Sequence, residues 1–374
     1  MSEACILYGA PCSLYTGKAR SYLIKQGICF RELTPAVPHF VNEVVPAVHR
    51  WRIPVMELPD QALIQDSTMI IDYFEMQPEI PSMLPVTPRQ RIVALLFDLL
   101  GAEGLLRPAM HFRWHFKEAN DGFLEKNFRT LVPAGTGDTT GLARKAMVDM
   151  QQAAASFGAV PEAASVIETV YEELLGLLEG HFSLYPYLLG GKPAIGDFGL
   201  IAPFYGHLSR DPYPSDMMKK QAFGTFRWSE RMNRPDSDMG EFPDCPAAWL
   251  ENDEIPDTLK SVLKFIGKED LLPETAASAA CINQWLDEND PAPGTRAKRG
   301  VGFGAFEIRG VPIQALAQPY RFFLLKRMQN AYAALDEPGR QAVQSLMDEL
   351  GLAPLLSISI NREIVRNDNL EVWQ

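Results

Sequence analysis

Short strand-forming segments crowd into the first 65 residues of this 374-residue chain, and from about Pro88 they give way to a long run of amphipathic helices. That order constrains the fold most, because alternating strand and helix units build an open sheet with helices against it, whereas an uninterrupted helical run builds a bundle. Cys5 to Tyr8 is a β-prone apolar run. The turn Gly9-Ala10-Pro11 follows, then Ala19, Tyr22, Leu23 and Ile24 at helical spacing up to Gly27, where a helix C-cap is expected. Ile28 to Leu33 is a second strand candidate, and a Pro-punctuated stretch with a short helix (39–51) leads to a third over Ile53 to Leu58. Pro59-Asp60-Gln61 then turns the chain into Ala62 to Gln65, the spacing of a hairpin. Asp66-Ser67 opens a helix with Met69, Ile70, Tyr73 and Phe74 on one face. The order is βαβαββα.

Beyond Pro88 the apolar positions Ile92, Leu95, Leu96, Leu99 and Leu100 predict one long helix over 91–116. Residues 123–156 are helical around the loop Gly135 to Gly141, 166–184 and 197–207 are helices, and 217–232 is another. Residues 235–256 are Pro- and Asp-rich and read as a linker. Helices are then expected at 258–265, 276–288, 319–335 and 338–350, with strands 303–308 and 311–316 around Arg309-Gly310 and an apolar stretch at 355–360. Single hydrophobic cores stop growing at roughly 250–300 residues, so the length calls for two domains and a remainder.

Lys plus Arg number 35 against 47 Asp plus Glu, a formal charge of −12 that repels phosphate backbones and argues against nucleic acid as a partner. The densest basic patch, Arg296 to Arg299, is short and lies in a Pro/Gly stretch. Five cysteines (Cys5, Cys12, Cys29, Cys245, Cys281) show neither metal-ligand spacing nor a C-x-x-C pair, which points to a reducing, cytoplasmic setting. The N-terminus lacks the basic region of a signal peptide, and no apolar run reaches the ~18 residues of a membrane span, so no membrane association is expected.

Several motifs carry chemistry at their own spacing. Ser13 and Cys12 precede the first helix; Ile53-Pro54-Val55 opens the third strand; Asp66-Ser67 opens the helix after the hairpin. The βαβαββα unit with Pro54 at the third strand, and an all-α block behind it, resembles the cytosolic glutathione transferase superfamily. The resemblance covers about residues 4–235. It implies an α/β thioredoxin-like N-terminal domain (1–82), an all-α glutathione transferase C-terminal domain (88–235, with an insertion at about 117–165), and leaves a mixed α+β C-terminal extension (236–374) expected to pack on the helical domain.

In YGAPCSLYTGKAR, Ser13 stands seven residues before Arg20, the spacing at which Ser-type classes carry their catalytic Ser and the omega-type class its Cys. A hydroxyl there can donate to a bound thiolate at the positive end of the helix, although the same Ser is an ordinary N-cap. Cys12 is the alternative: a Cys at a helix N-terminus has a lowered pKa and forms mixed disulfides, the chemistry of a thiol-disulfide reductase or lyase; its bland reading is a small buried residue. Tyr15 is a weaker catalytic candidate, expected on the first helix at the domain interface, and Tyr8 packs beside the strand. The resemblance further implies that glutathione, as co-substrate, pairs with the backbone of Val55 beside Ile53 and Pro54, sets its γ-glutamyl carboxylate at Ser67, and its ammonium at Asp66.

LLGGKPAIGDFGLIAPF resembles the family's helical-domain signature, but Ala194 stands where a Ser or Thr caps the helix, so Asp197 lacks the reciprocal half of a capping box. His111, Arg113, Trp114 and His115 are candidates for the second-substrate pocket; the i, i+4 histidines have no third ligand, so no metal is expected. Gly300 to Gly304 reads as a turn. The implied activity is attack of the glutathione thiolate on a small hydrophobic electrophile, as in detoxification. The alternatives are a Cys12-dependent reductase or lyase and a non-catalytic glutathione-binding module. The family implies a homodimer, with a monomer as the alternative if the extension covers that surface.

Overall fold

A computed structural model describes residues 4–133 and 135–374. The first domain contains β1 (Cys5–Tyr8), α1 (Leu14–Lys25), β2 (Phe30–Leu33), α2 (Val45–Ala47), β3 (Val55–Glu57), β4 (Leu63–Gln65) and α3 (Ser67–Glu75). Its sheet has the order β2-β1-β3-β4: β1 runs parallel to β2 and antiparallel to β3, and β3 is antiparallel to β4. The Ile53–Pro54 peptide bond is cis. This is the thioredoxin-like arrangement expected for the first domain.

The helical block follows with α4 (Pro88–Leu99), α5 (Leu106–Trp114), α6 (Lys117–Arg129), α7 (Thr139–Ala154), α8 (Ala164–Phe182), α9 (Ile195–Pro203), α10 (Pro212–Gln221) and α11 (Phe223–Arg231). The expected single helix over 91–116 is interrupted by a π-helical turn at Leu100–Gly104. The cause is close packing: a Cβ on Gly101 would sit 2.0 Å from the carbonyl oxygen of Gly199 on α9, so the two backbones touch where only glycine fits. The same turn directs Glu103 inward, where it is 3% exposed.

Asp197 organises the block from its centre. Its carboxylate accepts the N–H of Ala194 (2.9 Å), the N–H of Leu188 (3.0 Å) and the indole N–H of Trp228 (3.0 Å). Ala194 has no side-chain acceptor, so only the carboxylate half of the capping box exists, and the other two donors explain why an acid is retained there.

The extension consists of α12 (Asp257–Ile266), α13 (Leu272–Asn289), β5 (Phe303–Ile308), β6 (Val311–Leu316), α14 (Pro319–Ala333), α15 (Glu337–Leu350), β7 (Ile364–Asn367) and β8 (Leu370–Trp373). Arg309 and Gly310, both at positive φ, turn the β5–β6 hairpin, with Ile308 opposite Val311. The β7–β8 hairpin was not expected from sequence. Its signal is Asp368-Asn369, both at positive φ, between two short β-prone runs. Buried residues of all three regions, from Leu7 through Leu96 and Leu175 to Ile282, Leu325 and Trp373, form one contiguous core.

The extension reaches the first domain as well as the helical block. The Asn369 side chain lies along the outer edge of β4, its Oδ1 accepting the Gln65 N–H (2.8 Å) and its Nδ2 donating to the Leu63 carbonyl (3.2 Å). Buried Arg50 donates to Glu371 (2.6 Å), and Arg327 of α14 forms a two-pronged pair with Asp72 of α3. An edge strand that would otherwise present free backbone groups is thereby closed.

Candidate functional site

Ser13 N-caps α1: its Oγ accepts the Thr16 N–H at 3.3 Å, which leaves the hydroxyl proton free to donate. Cys12 beside it is 7% exposed, and its carbonyl accepts from Arg113 (3.0 Å). Burial pushes the Cys12 thiol up, only partly offset by Arg113 and Arg210. That disfavours the thiolate which a Cys12-dependent reductase or lyase needs, because the helix-terminus effect that lowers a cysteine pKa is outweighed by desolvation. Tyr15, in the first turn of α1, directs its hydroxyl at the Ala102 carbonyl (3.2 Å), and burial pushes its pKa upward. Its donor is therefore engaged across the domain interface.

At the start of β3 the backbone is arranged differently from expectation. Val55 pairs with Tyr8 on one side and Gln65 on the other, so it belongs to the interior of the sheet and its polar backbone groups face neighbouring strands. The Pro54 carbonyl accepts the Asp66 N–H at 3.2 Å. Ile53 is the residue whose N–H and C=O have no partner among the described residues, and it lines a cavity. A central strand cannot offer an edge; the residue just before it can.

Asp66 lines the same cavity at the N-terminus of α3. It is held at φ 96°, ψ 136°, a conformation that costs a non-glycine residue of order 1–3 kcal/mol and persists only where surroundings enforce it. Three donors do so through Oδ1: Thr68 N–H (2.9 Å), Met69 N–H (3.4 Å) and the Tyr320 hydroxyl (2.8 Å). Ser67, directly after it, is buried and makes no hydrogen bond through its own N–H among the described residues.

The cavity measures about 580 Å³ and lies between the first domain and the extension. Tyr15, Arg52, Ile53, Gln65 and Asp66 form one wall, Arg296, Lys298 and Arg299 another, and Glu103, Gln318, Tyr320 and the Arg50–Glu371 pair are among the rest of the lining. Glu103 accepts from Gln318 Nε2 at 2.9 Å, and burial pushes its carboxyl up to about 7, with Arg321 opposing. Sequence reasoning missed Arg52, Glu103 and Tyr320, and set aside Arg296 to Arg299 as too short a patch. An isolated Glu between Gly101 and Gly104 in an apolar helix was the available signal for Glu103.

The residues expected at a second-substrate pocket lie away from this cavity. Arg113 is buried in an ion pair with Asp211 (2.6 Å) and bonds to the Gly206 carbonyl (2.6 Å). Trp114 packs in a small core with Leu124 and Phe128, His111 pairs with Glu168 (2.8 Å), and exposed His115 stacks on His111. None of the four lines the cavity: Arg113 is engaged by Asp211, Gly206 and the Cys12 carbonyl, and the other three pack within or on the helical block. Among the described residues, no group of three or more His, Cys, Asp and Glu could hold a metal, and no helix is long and apolar enough to cross a membrane.

Comparison with known proteins bears on the first domain. The family described as glutathione S-transferase, N-terminal domain, matches residues 7–82. Among solved structures the chain is similar to the β-etherase LigF from Sphingobium sp. strain SYK-6, with 19% identity, 64% of this chain and 98% of that chain covered, and a TM-score of 0.41. It is also similar to glutathione transferase GSTFuA3 from Phanerochaete chrysosporium (18% identity, 62% and 96% covered, TM-score 0.39). A third similar structure is rice GST1, solved in complex with glutathione (16% identity, 65% and 93% covered, TM-score 0.37). No curated protein matches the chain. With its four-stranded sheet, cis-Pro54 and the match over residues 7–82, the first domain has the thioredoxin-like fold of a glutathione S-transferase N-terminal domain.

Proposed function

We propose that this protein binds glutathione in the cavity beside Ile53 and Asp66 and joins its sulfur to an electrophilic small molecule. The observation that carries the reading is the free backbone of Ile53 beside the α3 N-terminus, in a cavity lined by Arg52 and Asp66. In this reading the γ-glutamyl carboxylate takes the Ser67 N–H at the positive end of α3, and its ammonium takes the unengaged Oδ2 of Asp66. The cysteinyl unit pairs with Ile53 N–H and C=O instead of Val55, Pro54 shapes the turn behind it, and the glycyl carboxylate reaches Arg52. The Ser13 hydroxyl, with its acceptor side occupied by Thr16, donates to the sulfur. The thiol proton leaves to solvent, the thiolate attacks the electrophilic carbon, and the leaving group departs with its bonding pair. Proximity and thiolate stabilisation are the protein's contributions.

Titration calorimetry with glutathione tests the reading directly. Binding is expected in the native protein and is expected to weaken at least tenfold in Asp66→Ala, the loss of one charge-assisted contact. Ser13→Ala should retain binding but raise the pH at which the bound thiol ionises, read from thiolate absorbance, and lower kcat/KM roughly tenfold to a hundredfold. No heat with millimolar glutathione sinks the proposal.

A further inference from the structure

Three cations stand in the cavity on the wall opposite Ile53, and the extension alone supplies them. Arg296, Lys298 and Arg299 form no ion pair with a carboxylate among the described residues. They are held in place from both ends. On one side, Trp373 N–H donates to the Thr295 carbonyl (2.9 Å) and Ala297 N–H to the Glu371 carbonyl (2.8 Å), so the segment runs as an added strand along β8. On the other, Val301 N–H donates to Ala317 C=O (3.2 Å) and Ala317 N–H to Gly302 C=O (2.8 Å), anchoring it to the end of β6. Arg296 and Lys298 are exposed, Ala297 between them is buried, and the whole run through Arg299 lines the cavity. Arg299 lies over the Phe157 ring, 5.4 Å from its centre.

Across the cavity Arg52 adds a fourth unpaired cation, while Arg50 is already matched by Glu371. Burial first, and then the like charges of Arg50 and Arg299, push Arg52 below its ordinary pKa, with Glu371 opposing. On a chain of net charge −12, this local surplus focuses anions into one cleft. A single glutathione does not use it all: its glycyl carboxylate is met by Arg52 on the first-domain wall.

Resting on the glutathione reading above, we infer that the second substrate is itself an acid, an electrophile whose carboxylate is held by Arg296, Lys298 and Arg299 of the C-terminal extension. This replaces the hydrophobic electrophile expected from sequence and gives the extension a role: it supplies the charged wall of the pocket. A carboxylate met by a fixed guanidinium and ammonium pair gains charge-assisted bonds that an ester or alkyl group cannot make.

The test compares two glutathione conjugates of equal length, S-hexylglutathione and S-(5-carboxypentyl)glutathione, by titration calorimetry at low salt, with glutathione alone as reference. The carboxylate conjugate is expected to bind the native protein at least tenfold tighter than the hexyl conjugate. In R296Q/K298Q/R299Q the preference should vanish while affinity for glutathione changes less than twofold. R296Q/K298Q, two exposed positions that leave the Arg299 stacking intact, should lose most of the preference and guards against misfolding of the triple variant. Equal or tighter binding of the hexyl conjugate to the native protein overturns the inference, as does a preference that survives both variants. If the variants weaken glutathione itself as much as the conjugate, the cations serve glutathione and the inference also falls. Absence of glutathione binding in the native protein instead removes the reading on which the inference rests, and the inference with it.

Discussion

Replacing Arg107 with methionine should lower the free energy of unfolding by about 3–5 kcal/mol, seen in urea denaturation as a lower midpoint with little change in slope. Arg107 on α5 is 2% exposed and holds two carboxylates of the extension, Asp270 at 2.5 Å and Glu274 at 2.9 Å. Arg321 of α14 reaches the second of these at 2.7 Å and also donates to Thr275 (3.2 Å). Two buried cations thus balance two buried anions at the seam between the helical block and the extension. Removing one cation leaves carboxylate charge in a site without water, and that cost exceeds the lost attraction itself. The double variant Arg107→Met, Asp270→Asn removes one charge of each sign, leaves Glu274 paired with Arg321, and should recover much of the loss. A single-variant loss below 1 kcal/mol would show that water reaches this seam.

The stability difference between Glu103→Gln and the native protein should swing by ~3 kcal/mol in favour of the variant as pH rises from 4.5 to 8. Burial raises the Glu103 carboxyl from 4.5 to about 7 in the folded protein. A raised carboxyl means the folded state holds its proton where the unfolded chain has released it. The contribution is therefore fully present below about pH 4.5 and is lost as pH climbs through about 7. Glutamine keeps the oxygen that accepts from Gln318 and has no proton to lose, so its stability lacks this term. Thermal or urea unfolding of both proteins across that range measures the swing. A constant difference would place the Glu103 pKa near that of an ordinary carboxylate. Since Glu103 lines the cavity, the same titration adds a negative charge to the pocket near neutral pH and should weaken binding of the carboxylate conjugate there.

How much of this was legible beforehand depends on the range over which each signal acts. Period-2 and period-3.6 patterns report which face of an element is apolar, a property of ten or so consecutive residues, so the βαβαββα order, the helical block and the β5–β6 hairpin were readable. The second hairpin, carried by Asp368-Asn369 in a polar tail, offered no apolar alternation to announce it. The helix break at Leu100–Gly104 follows from contact between Gly101 and Gly199, ninety-eight positions apart.

The site divides along the same line. Ile53, Pro54, Asp66 and Ser67 could be singled out in sequence because they sit at short, fixed separations around one turn of chain, and Ile53 and Asp66 line the cavity. Val55 was assigned the open backbone that Ile53 holds, because whether a residue is flanked on both sides depends on strand pairing. His111, Arg113, Trp114 and His115 look like a binding cluster in sequence, yet a helix spreads neighbours around its axis, and three of them meet the helical block instead.

By itself, then, the sequence determined the thioredoxin-like domain and the helical block behind it, since each is written in local periodicity and spacing. Only the tertiary structure decided what the last third of the chain does. Arg296 to Arg299 are some 240 residues from Ile53 and become its facing wall when the β7–β8 hairpin and α14 close on the first domain. Charge pairing across such distances leaves no pattern along the chain, because electrostatic partners are chosen by proximity after folding rather than by order before it.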